Sequence, residues 1–252
     1  MTSIDDLRPE VPHAARIWNY WMGGTDNFAA ARAAGDAVAE VYPEIVAMAR
    51  HSRRFLIRVV RHLNGEAGVQ QFLDIGTGLP TMQNTHEVAP GARVVYVDND
   101  PLVLEHARQL MTATDRVVHV HADYHEPERI LDEARKVLDF GQPIGVMFMG
   151  VLGYEPDLTV VKSIVDRVMA AVPAGSFLVL WDGTNTTPAV VEGAERLANS
   201  GGVPYVLRSP EEIDGLFAGL EPVEPGLVQL TGWRPDGDAE WLDAYGAVAT
   251  KR

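Results

Sequence analysis

From Gly68 onward the chain repeats one pattern: a short hydrophobic run, a turn and a helix-like segment. Such alternation restricts it to a largely parallel sheet covered on both faces by helices. Strands are expected at Gln71 to Ile75, Arg93 to Val97, Val117 to His121, Ile144 to Met149 and Phe177 to Trp181, with helices between them, notably Pro101 to Met111 and Leu158 to Ala171. Further on, "GLEPVEPGLVQLTGWRP" reads as two short strands around Pro225-Gly226, an antiparallel hairpin at the sheet edge. The front of the chain is helical instead. With Asp26 as N-cap, "NFAAARAAGDAVAEV" carries Phe28, Ala31, Val38 and Val41 at mostly helical spacing, and Pro43 suits the first turn of a second helix that runs to about Leu63. Phe55, Leu56, Val59, Val60 and Leu63 give that second helix an apolar face. A boundary near Gly65 to Gly68 separates a helical cap, residues 1–66, from an α/β core, residues 67–252.

In a sheet of this kind ligands bind beyond the carboxyl ends of the strands, where the winding order reverses. Three successive strand ends here carry acids. The first ends in "DIGTG", the second in "YVDNDP" and the third in "HADYH", which brings Asp74, Asp98, Asp123 and Tyr124 to one rim. Gly76 and Gly78 allow positive φ and close approach of bare backbone. The dinucleotide fingerprint G-x-G-x-x-G is not completed, because Leu79, Pro80 and Thr81 follow the second glycine, and Asp74 would repel a pyrophosphate. A ligand with an ammonium group and no phosphate suits the pattern better, such as S-adenosylmethionine. Asp98 would then take the ribose, Asp123 the adenine amino group, and the Gly76 to Gly78 backbone the methionine portion. The plain alternative for Asp74 and Asp98 is that they cap turns.

Composition removes other classes. With 252 residues and 46% hydrophobic content the chain can bury a large core, and with no cysteine it has no disulfide, thiolate metal site or cysteine nucleophile. A net charge of −14 disfavours sequence-independent binding to nucleic-acid phosphates, so a small-molecule or protein substrate is expected. Arg50, Arg54, Arg58 and Arg61 form a stripe on the second helix that reads as a solvated or internally paired face rather than an RNA track. The apolar runs are too short to span a bilayer, and Met1 to Glu10 is too polar for a signal peptide, so a soluble cytoplasmic protein with no membrane partner is expected. Monomer and homodimer both stay open. His121, Asp123 and His125 alternate and are the sharpest metal-ligand set, but Asp123 is better used by adenine, and no metal is expected. His86 reads as a helix residue rather than a base. No G-x-S-x-G elbow, G-K-[ST] loop or H-E-x-x-H helix is present.

The blocks "ARIWNYWMGGTDNF", "QFLDIGTGLPTMQNTHE", "ARVVYVDNDPLVLEHAR", "HADYHEPERIL", "VLGYEPD" and "YGAVATKR" resemble, in that order, the class I S-adenosylmethionine-dependent methyltransferases, and within them a family common in actinobacteria. The resemblance spans nearly the whole chain. It implies a Rossmann-like, doubly wound α/β sheet of seven strands with the last antiparallel, and cofactor contacts by Asp74, Gly76, Gly78, Asp98, Asn99 and Asp123, with Tyr124 and Met149 on the same rim. The "GGTDNF" segment is expected to fold over the cofactor, which makes Gly23, Gly24, Asp26 and Asn27 candidates for its methionine end. Three positions depart from the family pattern: Asn19 where an acid is usual, Gly153 where a histidine follows "VL", and "WDGT" at Trp181 to Thr184 where a histidine commonly follows the fifth strand. The last two fall where the resemblance implies an acceptor pocket, so the resemblance leaves the acceptor, and the reaction with it, open.

The reaction so implied is in-line methyl transfer to a small-molecule acceptor, which needs alignment and desolvation more than chemical assistance. Asp182 is the first candidate to orient or deprotonate an acceptor and Tyr154 the second, although Asp182 reads equally well as a turn residue before Gly183. Trp18, Tyr20 and Trp21 either shape an aromatic pocket or pack the cap on the core. A non-methylating enzyme and a non-catalytic binding protein of the same fold are the alternatives.

Overall fold

The computed structural model describes residues 8–80, 83–110, 115–237 and 240–252. The chain opens with helices α1 (Ala14–Trp21), α2 (Ala29–Val41) and α3 (Ile45–Gly65). There follow β1 (Gln71–Ile75), α4 (Thr85–Val88), β2 (Arg93–Asp98), α5 (Pro101–Leu110), β3 (Val117–His121), α6 (Pro127–Ala134), β4 (Gly145–Met149), α7 (Leu158–Ala171), β5 (Phe177–Gly183), α8 (Pro188–Asn199) and α9 (Pro210–Asp214). Three strands close the chain: β6 (Glu221–Pro222), β7 (Val228–Gln229) and β8 (Ala244–Thr250). The expected helix over Pro101 to Met111 is present as α5, and its last residue, Met111, lies outside the described residues.

The strands form one sheet in the order β3-β2-β1-β4-β5-β8-β6, with β7 also on β8. Strands β1 to β5 are parallel and β8 runs antiparallel to β5, so this is the expected Rossmann-like α/β fold with a reversed last strand. The winding reverses between β1 and β4, which opens a crevice at their carboxyl ends.

Two expectations need correction. The segment around Pro225-Gly226 is not a hairpin. β6 and β7 do not pair with each other; both run antiparallel to β8, β6 opposite Ala249 and Thr250 and β7 opposite Tyr245 and Gly246. They lie end to end along the β8 edge that β5 leaves free, as one interrupted edge strand, so the eight strands fill seven rows. The β8 ladder offers each piece main-chain partners that a two-residue hairpin could not supply. Nor does Asp26 cap the first long helix: α2 begins at Ala29 behind an extended Phe28, and Pro43 precedes α3 rather than opening it.

Alternation along the strands sorts the core into two layers. Phe72, Tyr96, Met147, Val179 and Trp181 face α1, α2 and α3, whereas Leu73, Ile75, Val95, Val146 and Leu180 face α6 and α7. The helical front therefore packs directly on one sheet face. Among the described residues no helix is long and apolar enough to cross a membrane.

The cap is also fastened by charge. Arg16 of α1 makes a bidentate contact with Asp100, Nε to Oδ2 at 3.0 Å and Nη2 to Oδ1 at 2.9 Å, and both side chains are buried. Asp100 sits in the turn after β2, so this pair binds the cap to the rim of the crevice.

Candidate functional site

A cavity of about 260 Å³ lies between α1, α3 and the carboxyl ends of β1, β2 and β4. Its walls include Gly76, Thr77 and Gly78 after β1, Asp98 and Asn99 at the end of β2, Ala122 to His125 after β3, and Met149 and Gly150 after β4. The cap supplies His13, Trp18, Met22, Ser52, Arg53 and Leu56. Of the residues expected at a cofactor site, Gly76, Gly78, Asp98, Asn99, Asp123, Tyr124 and Met149 line this one cavity.

The bend after β1 follows from its glycines. Gly76 and Gly78 have φ of 76° and 67°, the left-handed region. A Cβ on Gly76 would stand 2.5 Å from Val151 Cγ2, while one on Gly78 would meet nothing within 4 Å among the described residues. The Gly78 N–H donates to Asp98 Oδ2 at 2.8 Å, and Asp100 N–H donates to Oδ1 at 2.9 Å. Two bonds fix the Asp98 carboxylate and leave lone pairs for ribose hydroxyls. Burial raises its pKa, against those two N–H groups.

At the β3 end the arrangement is polar and more open. Asp123 accepts from Asn99 Nδ2 at 3.0 Å and from the His125 backbone N–H at 3.0 Å, and the His125 ring bridges it to Glu155, 2.8 Å from Nε2. Burial works to raise the Asp123 carboxyl, yet the bonds from His125 and Asn99 outweigh it and hold it below its ordinary value. For His125 burial works downward, and bonds to Glu155 and Asp123 raise it overall. His121 turns away to the Asn99 carbonyl, and among the described residues no group of three His, Asp or Glu side chains has the geometry to hold a metal ion.

Asp74 does not reach the cavity wall. It is buried under α3, where Oδ2 accepts from Thr85 at 3.1 Å and Oδ1 has no partner among the described residues. Burial pushes its pKa up to about 6, with the nearby Arg53 charge opposing. The strand alternation explains this: Asp74 points to the same face as Phe72, toward α3, while the backbone after it turns to the crevice.

The "GGTDNF" segment also stands off the cavity. Gly24 packs on Asn19, whose Oδ1 accepts from Asn27 at 2.8 Å, and Asp26 faces His106 at 3.6 Å, so Gly23, Gly24, Asp26 and Asn27 shape the turn after α1 rather than the lining. Of the three cap aromatics Trp18 alone lines this cavity. Tyr20 donates to Asp36 at 2.6 Å and Trp21 donates to the Gly35 carbonyl at 3.1 Å, both joining α1 to α2.

Beside this cavity is a smaller one of about 50 Å³ that shares Trp18, Tyr154 and Trp181 with it. Trp21, Tyr42 and Tyr205 complete its aromatic wall with aliphatic groups from α3 and α8, and among the described residues no charged side chain lines it. Burial raises the Tyr154 pKa, so the hydroxyl stays protonated and can donate. Asp182 lines neither cavity. It is fully buried, with Oδ1 accepting from the Tyr205 hydroxyl and Oδ2 at 3.6 Å from Arg208, and burial lifts its pKa to about 7 against the Arg208 charge. Tyr205, which the sequence reading missed, sits where two family departures meet. A Cβ on Gly153 would fall 2.3 Å from its ring, and one on Gly183 3.3 Å from it. Tyr205 thus takes the room a larger residue at position 153 would need.

The entire chain, residues 1–252, matches the model of a family described as S-adenosyl methyltransferase. Two solved structures are similar over almost their full lengths. A candidate methyltransferase of Thermobifida fusca YX is 39% identical at a TM-score of 0.92, covering 98% of this chain and 97% of its own. A DUF574 family protein of Streptomyces avermitilis MA-4680 is 39% identical at 0.93, covering 98% and 100%. The N-methyltransferase NodS of Bradyrhizobium japonicum WM9, solved with S-adenosyl-L-homocysteine, shares the fold at 19% identity and a TM-score of 0.51, with 79% of this chain and 86% of that one covered. No curated protein matches the chain.

Proposed function

The chain belongs to the S-adenosyl methyltransferase family and is an S-adenosylmethionine-dependent methyltransferase; from that premise we propose that it methylates a small, largely apolar and aromatic acceptor held beside the cofactor. The observation that carries this reading is the smaller cavity, walled by Trp18, Trp21, Tyr42, Tyr154, Trp181 and Tyr205 without a charged group among the described residues. Such walls favour a flat apolar molecule over a nucleic acid or an acidic peptide.

The larger cavity suits the cofactor. Spare lone pairs on Asp98, the backbone bend at Gly76 to Gly78, and the Asn99, Asp123 and Tyr124 cluster offer partners for ribose and adenine. Bound S-adenosylmethionine supplies an activated methyl group on a sulfonium. The protein's share is geometry: Trp18, Tyr154 and Trp181 stand between the two cavities, exclude water, and present the sulfonium side of the site with ring faces. Residues 1–66 act as a cap over the core of residues 67–252, with the turn from Gly23 to Asn27 holding α1 in place.

For an acceptor that must lose a proton, Tyr154 donates a hydrogen bond that orients it. Tyr205 takes its proton while passing its own to Asp182, which at a pKa near 7 can accept it. Asp182 thereby acts through Tyr205, not directly on the acceptor. The test is formation of S-adenosylhomocysteine with a panel of small planar phenols and amines against peptide and nucleic-acid acceptors. Turnover only with the macromolecular acceptors would contradict the reading. Asp182→Asn and Tyr205→Phe should slow turnover on acidic O–H acceptors while leaving cofactor affinity in place, and unchanged turnover in both would remove the relay.

A further inference from the structure

Arg53 carries hydrogen-bond donors that no side chain or carbonyl among the described residues takes up. It lies on α3, one turn ahead of Leu56, and only 8% of it is exposed. Among the described residues it makes no hydrogen bond or ion pair, and its Nε is buried without a partner. Leaving a guanidinium so placed costs free energy that a bound anion would recover. Arg53 is also the only Arg or Lys among the described residues lining the larger cavity.

Its position along that cavity identifies the anion. The sheet order β3-β2-β1-β4 sets a direction across the site: the Asn99, Asp123 and Tyr124 cluster at the β3 end, Asp98 at β2, and the glycine bend at β1. Arg53 is held electrostatically by Asp74 of β1, with Tyr96 of β2 and Glu87 of α4 also facing it. Two strand spacings, about 10 Å, separate β1 from β3. A ligand with its adenine at β3 and its ribose at Asp98 therefore brings its amino-acid end to Arg53. That end carries one anionic group, an α-carboxylate.

We propose that Arg53 binds the α-carboxylate of the cofactor's methionine moiety, and that Asp74 positions the guanidinium for it. This rests on the cofactor reading above. A planar fork with no hydrogen-bond partner among the described residues fits a carboxylate by two parallel N–H bonds, which a lysine could not reproduce. Asp74 gives Arg53 a counter-charge without using its hydrogen-bond donors, so the arginine stays charged under α3 yet free to bind. The carboxylate then selects the intact amino-acid cofactor over metabolites that share only its adenosyl part.

The experiment is calorimetric titration of the full chain with S-adenosylmethionine and with its decarboxylated form, which keeps the adenosyl group, the sulfonium and the amine. The wild type should bind the complete cofactor roughly 10- to 100-fold more tightly. Arg53→Met should lose most of that preference, binding S-adenosylmethionine roughly 10- to 100-fold more weakly and the decarboxylated form within about threefold of wild type, with Arg53→Lys between the two. Equal wild-type affinity for the two ligands would overturn the assignment while leaving the cofactor site intact, and so would equal weakening of both by Arg53→Met. Binding of neither ligand by the wild type would sink the cofactor reading of this cavity along with it. If Arg53→Met does not fold, the wild-type ratio and the Arg53→Lys titration decide alone.

Discussion

The two ends of the larger cavity are built on opposite principles. At the β3 end the groups are polar and joined by hydrogen bonds near the protein surface: Asn99, Asp123, His125 and Glu155 bond to one another across the rim. At the other end Trp18, Arg53, Tyr154 and Trp181 come from four separate segments and meet only because α1 and α3 lie over β1, β4 and β5. Water screens the first end, where single contacts are weak and replaceable. The second end is dry, so each unpaired or misplaced group there carries a large energetic consequence. Affinity for the adenosine part should tolerate substitution, whereas alignment and stability should not.

The sharpest way to break this contrast is at the clamp that closes the dry end. Arg16→Met leaves the buried Asp100 with only the His13 ring, 3.2 Å away, and the Leu102 N–H, and should cost about 3–5 kcal/mol of folding stability, read from urea denaturation. A cost under about 1 kcal/mol would mean that the cap docks by apolar packing alone. Next is the pH dependence of Asp182. Its folded carboxyl holds a proton up to about pH 7, against an ordinary value of 3.8, so its contribution to stability is full below about pH 4 and is lost as pH rises through 7. Asp74, raised to about 6, acts in the same direction. Asp182→Asn should flatten the stability curve between pH 5 and 8 relative to wild type, by roughly 2–4 kcal/mol at the upper end; parallel curves would show that Asp182 ionises freely.

Between the two ends stands Asp98. Removing its carboxylate by Asp98→Ala should weaken binding of S-adenosylhomocysteine by about 1–3 kcal/mol with little change in folding stability, since it is fixed by main-chain N–H groups that a water can satisfy. Smallest is His125→Gln at the open end. It should shift cofactor affinity by less than about 1 kcal/mol and lose even that at high salt. A larger, salt-insensitive effect would place the β3 end among the dry parts of the site.

The same contrast explains what the sequence disclosed. The cavity walls at the β1, β2 and β3 ends were legible because each of these lining residues sits next to the strand that carries it, so alternation plus an acid at a strand end brings Asp98 and Asp123 to the rim without tertiary information. Arg53 is less legible, because it lies beside the stripe of Arg50, Arg54, Arg58 and Arg61 but on the other face of the helix. A signal existed: Arg53 is three residues before Leu56 and seven before Val60, on the apolar face of α3. A charged residue on such a face needs a partner. Arg58 of the stripe is itself buried, donating to the Trp233 and Leu230 carbonyls, while Arg50, Arg54 and Arg61 stay exposed. Tyr205 was out of reach, in an irregular segment 23 residues from Asp182 with no periodicity to place it. Asp74 is a fingerprint position whose side chain points into the protein while its neighbours' backbone faces the cavity, a direction that only the packing of α3 on the sheet reveals.

Soaking S-adenosylhomocysteine into crystals of the protein tests the central claim most directly. The account predicts the ribose hydroxyls within about 3 Å of Asp98 and the adenine beside Asp123 and Tyr124, with the amino-acid end running under α3. A ligand seated in reverse, with its adenine under α3, or one bound outside this cavity would contradict it.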